Sequence, residues 1–385
     1  MKRRQSEKKI LHVVSVSFSL TYFIGDQFDH FRDKGWDMHV VCSQSAHFND
    51  YAAEKKFTPH PIAINRKISP LADIKAIFKL RKLIRDERIE VVFGHTPKGG
   101  LIAMVAAFLA GVKKRVYVRH GLVYETSKGL KRTLLKSIER ITGYMAQRVV
   151  CVSPSILTIS NQEHLSDKKK NVVLGKGTFN GIDTRLKFNP DQLDSTNIMK
   201  LRGQHNIQNQ DIVIGFVGRI AVDKGIGVLL EAWKLLKARY RDIKLVLIGP
   251  FDERDNIDDQ LQDMIRLDED IISTGHIEDT RNYYGLLDVF VLPSYREGLP
   301  TVILEASSLC VPVVATKVTG CVDAVLTGYT GFLTEHDPVE IANVIAYYID
   351  NPRLRLEHGK NGRNFVVQHF DQRDMWKRIE DTFLY

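Results

Sequence analysis

Residues 212–233 read IVIGFVGRIAVDKGIGVLLEAW. The first seven are almost continuously apolar and β-branched, the pattern of a strand buried on both faces. Two cations, Arg219 and Lys224, follow in a short turn, and from about Ile226 the spacing is helical. Strand, tight turn and helix together make the unit of a parallel sheet, because parallel neighbours must be joined by a crossover.

The same unit recurs on both sides of this stretch. Upstream, the apolar runs are 10–18, 38–43, 91–95, 115–120 and 148–153. Helical patterns lie between them, such as 71–88 with apolar residues at 71, 74, 77, 78, 80 and 84. Downstream, the runs are 243–249, 271–277, 289–294 and 311–316. The repetition predicts an α/β protein with two Rossmann-like, doubly wound parallel-sheet domains. The glycine-rich segment LGKGTFNGID (174–183) is the expected joint. It separates a domain of residues 1–180 from one of residues 181–367, with a helix at about 368–385 expected to pack back on the first.

Composition agrees with this division. The chain has 385 residues, 44% hydrophobic and 26% charged, too apolar for a disordered chain and long enough for two cores. Its net charge of +9 is unevenly placed: residues 1–180 carry 32 Lys+Arg against 15 Asp+Glu, and residues 181–385 carry 23 against 31. A basic first half calls for an anionic partner, such as a membrane surface or a phosphorylated substrate. No helix-turn-helix, zinc-finger or RNP-like pattern accompanies the charge, so no nucleic acid is expected. Four cysteines without C-x-x-C spacing suit a reducing cytoplasm. The longest uncharged apolar run, 101–112, is short of the ~20 residues a membrane span needs. The basic start leads into a first strand rather than a signal peptide.

Open parallel sheets bind ligands beyond the carboxyl ends of their strands, so the residues after each strand are the candidates. Arg219 and Lys224 stand at a helix start, where free N–H groups and the helix dipole favour anions, and outline a diphosphate site. The alternative for Lys224 is a solvated turn. After the run 289–294 comes YREGLPTVILEASSL, with Glu297 in the loop, Pro300 expected at the first helical position and Glu305 on the side of Thr301. An acid inside an apolar stretch needs a partner. A sugar diol would serve; so would a lysine. The sequence Asp268-Glu269-Asp270 precedes a strand and reads as a solvated turn, so no metal is expected.

The ordered set G-R…K-G, G-H-I and P-S-x-x-E-G-L-P…E-A, with two acids spaced E-x7-E, resembles the signature of retaining GT-B glycosyltransferases of the family-4-like type. N-G-I-D at 180–183 supports it, and HTPKGG (95–100) with VRHG (118–121) resembles the capsule, O-antigen and lipid-linked glycan members. The resemblance implies two domains facing across a cleft, the first binding acceptor and the second nucleotide-sugar. Arg219 and Lys224 would hold the donor diphosphate, Glu305 the ribose, and His276 and Ile277 the base. Glu297, with amides near Gly298 and Leu299, and His120 would meet the donor sugar as the catalytic pair. A buried, hydrogen-bonded histidine is the alternative for His120. The resemblance implies a UDP-sugar donor, a polyprenyl-diphosphate-linked acceptor, no cofactor and no metal. A sugar-nucleotide epimerase and a non-catalytic nucleotide-sugar sensor share the fold. Where many members carry a glycine-rich loop, this chain has SVSFSLTYFIGD, so Ser17 and Thr21 are expected to offer hydroxyls to the acceptor instead.

Lys98, Gly99 and Gly100 open a helix and resemble an anion nest for the acceptor diphosphate; a tight turn that requires glycine is the other reading. The stretch 125–148 predicts an amphipathic helix. Its stripe of Leu130, Leu134, Ile138, Ile141 and Met145 is expected to dock on the sheet. Lys128, Lys131, Arg132 and Lys136 would then turn to anionic lipid, as suits a peripheral protein on the inner face of the cell membrane.

Overall fold

Parallel strands fill both sheets. The computed structural model describes residues 8–65, 69–252 and 256–384. The first sheet holds β1 (Lys8–Val13), β2 (Trp36–Cys42), β3 (Thr58–Pro61), β4 (Val91–His95), β5 (Lys114–Arg119), β6 (Arg148–Cys151) and β7 (Asn171–Val172), in the order β3-β2-β1-β4-β5-β6-β7. The second holds β8 (Ile212–Val217), β9 (Ile243–Ile248), β10 (Ile271–Gly275), β11 (Val289–Leu292), β12 (Val313–Thr316) and β13 (Gly331–Thr334), in the order β10-β9-β8-β11-β12-β13. Ile10 lies between Met38 and Val91, and Ile214 between Leu245 and Val289, so buried apolar residues meet across both centres. Each sheet reverses its winding at its first strand, between β1 and β4 and between β8 and β11, which is where doubly wound sheets open a crevice.

The chain divides into two units: Met1–Gly181 with Arg373–Tyr385, and Ile182–Gln372. The return to the first unit is held by Trp376, whose Nε1 donates to Asn180 Oδ1 at 3.1 Å, by Phe383 edge-on to Phe93, and by the Glu380–Lys34 ion pair.

Three expectations need correction. The run 10–18 leaves the sheet at Val13, and Phe18–Phe23 is a short helix. Val14 N still donates to Val41 O at 3.0 Å, and beyond it hydroxyl pairs replace the ladder: Ser15 Oγ lies 3.1 Å from Thr96 Oγ1 and Ser17 Oγ 2.9 Å from Ser45 Oγ. Pro300 caps the helix Thr301–Ser308 instead of starting it.

The third correction concerns the helix Gly129–Met145, whose stripe docks only in part: Ile138 and Met145 are half-buried, Met145 against the core. Leu130, Leu134 and Ile141 are 90%, 47% and 48% exposed, while Glu139, Thr142 and Gly143 are buried. The cause is an ion pair. Arg119, at the end of β5, is fully buried and donates from Nε to Glu139 Oε2 at 2.9 Å, and Tyr117 Oη donates to the same carboxylate at 3.0 Å. Burial disfavours the Arg119 charge, yet Glu139 together with Tyr117 and Cys151 more than compensates, and its pKa is raised. A Cβ on Gly143 would sit 2.5 Å from the Leu165 carbonyl oxygen, so the approach also requires glycine. A charge already committed inward turns the helix so that Leu130, Leu134 and Ile141 of its stripe face out.

Removing one partner of a buried pair strands the other, at a cost of about 3–5 kcal/mol. Glu139→Ala is therefore expected to lower unfolding stability by about that amount in urea denaturation. A loss under about 1 kcal/mol would show that the pair is solvated.

Candidate active site

In the second unit, Arg219 follows β8 and Glu297 follows β11, the two strands at the switch point. Lys224 Nζ donates to Glu297 Oε1 at 2.6 Å. The two loops are also joined through the backbone, where Tyr295 N donates to Asp223 O at 3.0 Å. Gly225 has φ +73°, and a Cβ there would lie 1.9 Å from Pro293 O, so only glycine lets the turn meet the neighbouring loop. Gly320, at φ +81°, is pressed in the same way against the Gly298 carbonyl oxygen. Arg219 pairs with Asp252 and, at 3.2 Å, with Asp223. Burial pushes its pKa down, and the two acids raise it further than burial lowers it.

Gly298 and Leu299 are buried at the start of the helix Thr301–Ser308. Glu305 lies inside that helix, 8% exposed, and accepts from Tyr284 Oη at 2.9 Å. Its pKa is raised by burial, with Tyr284, Lys187 and Thr301 opposing. The partner the sequence demanded thus includes a tyrosine hydroxyl that no motif pointed to. His276, exposed, and Ile277, half-buried, stand in the loop after β10. The Asp268–Asp270 acids sit at the amino end of β10: Asp268 accepts from Trp233 Nε1 at 2.8 Å, and Asp270 pairs with Lys237 and with Lys244.

In the first unit, His120 follows β5, half-exposed, with its ring stacked on Phe23 at a centroid distance of 3.6 Å. Its Nε2 lies 2.9 Å from His95 Nδ1, and His95 Nε2 lies 3.0 Å from His12 Nδ1. Three adjacent strands thus end in a row of histidines. Burial pushes His120 and His12 down to about 3, and His95 well below the usual imidazole range. The sequence assigns a role only to His120; His95 enters it as the first residue of HTPKGG, and His12 lies unremarked in the run 10–18.

Thr96 has φ +63° and ψ 153°, a conformation rarely tolerated outside glycine, and its hydroxyl accepts from Gly99 N at 3.2 Å. Lys98 pairs with Asp73 at 2.8 Å. A Cβ on Gly100 would meet the Tyr117 ring at 2.4 Å, so this glycine answers to packing. Ser17 is buried and bonded to Ser45, and Thr21 is exposed. Lys128 and Lys131 are exposed, whereas Arg132 and Lys136 pair with Glu163 at 3.4 and 3.0 Å.

Two doubly wound sheets, one of them with paired cations and acids at its switch point, define the GT-B architecture. Residues 197–365 match the family described as glycosyl transferases group 1, and residues 9–153 match glycosyl transferase 4-like. The chain is 34% identical to the capsular polysaccharide biosynthesis glycosyltransferase CapM of Staphylococcus aureus, over 98% of this chain and 97% of that protein. It is 27% identical to the Escherichia coli UDP-Gal:alpha-D-GlcNAc-diphosphoundecaprenol alpha-1,3-galactosyltransferase, over 100% and 98%. Among solved structures, Anabaena HepE in complex with UDP and glucose superposes with a TM-score of 0.80 at 21% identity, over 97% of this chain and 99% of that one. A glycosyltransferase from Rickettsia africae superposes equally well at 19% identity, over 98% of both chains. This chain belongs to the family-4-like glycosyltransferases of the GT-B fold.

The raised pKa of Glu305 sets a direction for stability. The folded state holds its proton more tightly than the unfolded state, so this group stabilises the fold at low pH. That contribution falls as pH rises from the unfolded value toward the folded one. Glu305→Gln removes the titration and keeps the shape. Its melting temperature relative to the parent is expected to rise between pH 4 and pH 7.5; a constant difference would mean that the carboxylate is solvated.

Proposed function

We propose that this chain is a retaining, metal-independent glycosyltransferase. It moves a hexose or N-acetylhexosamine from a UDP-sugar to a polyprenyl-diphosphate-linked saccharide in surface glycan assembly, at the inner face of the cell membrane. The observation that carries the reading is the Lys224–Glu297 pair beside Arg219 at the switch point of the second sheet. The printed names of two relatives support it. The Escherichia coli enzyme is named for UDP-Gal and a diphosphoundecaprenol acceptor. A Campylobacter jejuni relative, 24% identical over 78% of this chain, is named for a diphospho-undecaprenol acceptor.

The residues present suit the chemistry. A nucleotide-sugar departs as an anionic diphosphate, and cations already fixed in place stabilise charge as it develops. Arg219 and Lys224 supply those cations, which is why no metal is required. Their partner acids hold them oriented before the donor arrives, so little reorganisation accompanies the reaction. Glu305 receives the ribose hydroxyls, His276 and Ile277 border the base, and Glu297, Gly298, Leu299 and His120 meet the sugar. The acceptor attacks on the face from which the diphosphate leaves, so no protein nucleophile is needed. Lys98, Gly99, Gly100, Ser17 and Thr21 serve the acceptor, with Asp73 sharing Lys98.

The outward stripe of the helix Gly129–Met145 supports a peripheral membrane role. Leu130, Leu134, Ile141 and Tyr144 are exposed beside Lys131 and Arg140. Apolar contact with cationic flanks is what an anionic lipid surface rewards. Among the described residues, no helix is long and apolar enough to cross a membrane. Flotation with anionic vesicles is expected to carry the protein, and neutral vesicles to carry much less. Equal recovery from both would remove the electrostatic part of this reading.

The donor reading is tested by thermal shift against UDP, GDP, ADP and TDP and their sugars, in EDTA. A ligand that binds only the folded state raises its stability by mass action. UDP and one UDP-sugar are expected to raise the melting temperature. Lys224→Ala should weaken binding by about 10–100-fold, as loss of a charge-assisted contact of ~1.5–3 kcal/mol implies. Glu305→Gln should weaken it by a similar factor. A selective response to another nucleotide, or to none, would reject the UDP-sugar assignment.

A further inference from the structure

The row of three histidines has a property that its members lack singly. A neutral imidazole carries one N–H and one bare nitrogen. His12, His95 and His120 are linked by two hydrogen bonds, and no carboxylate touches any of the rings among the described residues. What faces them is aromatic: Phe28 and Phe93 against His12, Phe23 and Phe179 against His95 and His120. Packing among these rings, with no acid beside them, disfavours the charged form of all three, including His120 at the half-exposed end.

Two neutral rings around a third leave only two proton arrangements. In the first, His12 donates from Nδ1 to His95 Nε2, and His95 donates from Nδ1 to His120 Nε2. His120 then carries its proton on Nδ1, and His12 Nε2 is bare. In the second, every bond is reversed. His120 Nδ1 is then bare, and His12 Nε2 bears an N–H. That nitrogen is buried without a hydrogen-bond partner. A buried orphan N–H is rarer and more costly than an under-used acceptor. The inner end of the row therefore selects the first arrangement.

We propose that His12 and His95 are positioning residues that lock His120 as the Nδ1–H tautomer, so that it meets the transferred sugar as a hydrogen-bond donor and not as a base. The sugar-facing half of this statement rests on the function proposed above; the lock itself depends only on the first unit. It assigns work to His12 and His95, and it removes His120 from the candidates for general base. The row spans β1, β4 and β5, so the tautomer is set by the register of the sheet.

The test is nitrogen-15 spectroscopy of the full-length chain labelled at its 13 histidines, with His120→Gln, His95→Gln and His12→Gln used for assignment. Protonated and bare ring nitrogens differ widely in shift. His120 is expected to show a protonated Nδ1 and a bare Nε2, unchanged between pH 5.5 and 8, with His12 Nε2 bare. A protonated Nε2 on His120, or an imidazolium in that range, overturns the lock. In kinetics, His95→Phe breaks both bonds and is expected to lower kcat about 10–100-fold while leaving donor KM within about threefold, on the scale of a lost transition-state donor. His95→Gln can accept from His12 and donate to His120, and should restore most of the rate. Equal losses in both variants, with normal melting curves, would also overturn the lock. The wild-type spectrum needs no variant that might fail to fold. If UDP-sugars shift the melting temperature yet leave the His120 signals unmoved, the donor site stands and the sugar-facing role of His120 fails.

Discussion

The second unit is organised around the seam between the turn after β8 and the loop after β11. A backbone hydrogen bond, an ion pair and a glycine without room for a Cβ all occur within a few residues there. The reason is topological. At the switch point the crossovers leave in opposite directions, so the loops there must hold one another. The charged side chains at this seam are thereby fixed by one another. Lys224 and Glu297 belong to one device, as do Arg219 and the acids Asp223 and Asp252.

The first sheet meets the same constraint differently. Its switch-point loops are joined by the hydroxyls of Ser15 and Thr96, the loops after β1 and β2 by those of Ser17 and Ser45, and its strand ends by imidazoles. The second unit concentrates ion pairs there, while the first sets neutral donors and acceptors beside aromatic rings and keeps one ion pair, Lys98 with Asp73.

The parts legible in the sequence were those with one physical cause. Central strands such as β4 and β8 are buried on both faces and read as apolar runs. Of the four edge strands, β10 reads as an apolar run, while three do not: β3 is TPHP with two prolines, β7 has two residues, and β13 is GFLT. Arg219, Lys224, Glu297 and Glu305 stood out because charges beside apolar runs need a reason. Tyr284 and His12 did not, since a tyrosine or a histidine in a core position is ordinary until its partner is seen. The helix Gly129–Met145 had a clear period, but a period fixes a face without saying which way it points. Arg119, a charge within the run RVYVRH, was the available sign that something polar had to come inward.

The helix that returns from the second unit has a consequence for biosynthesis. The first unit is completed by Arg373–Tyr385, which supply Trp376, Glu380 and Phe383 to it. All of Ile182–Gln372 must be translated before those residues exist. At ~5–20 residues per second, that delay is on the order of ten to forty seconds. Through it the emerging first sheet has its strands without its last helix, with Phe93 and Asn180 awaiting their partners. The order of assembly on the ribosome is thus inverted for this unit: the part synthesised first is the last to be closed.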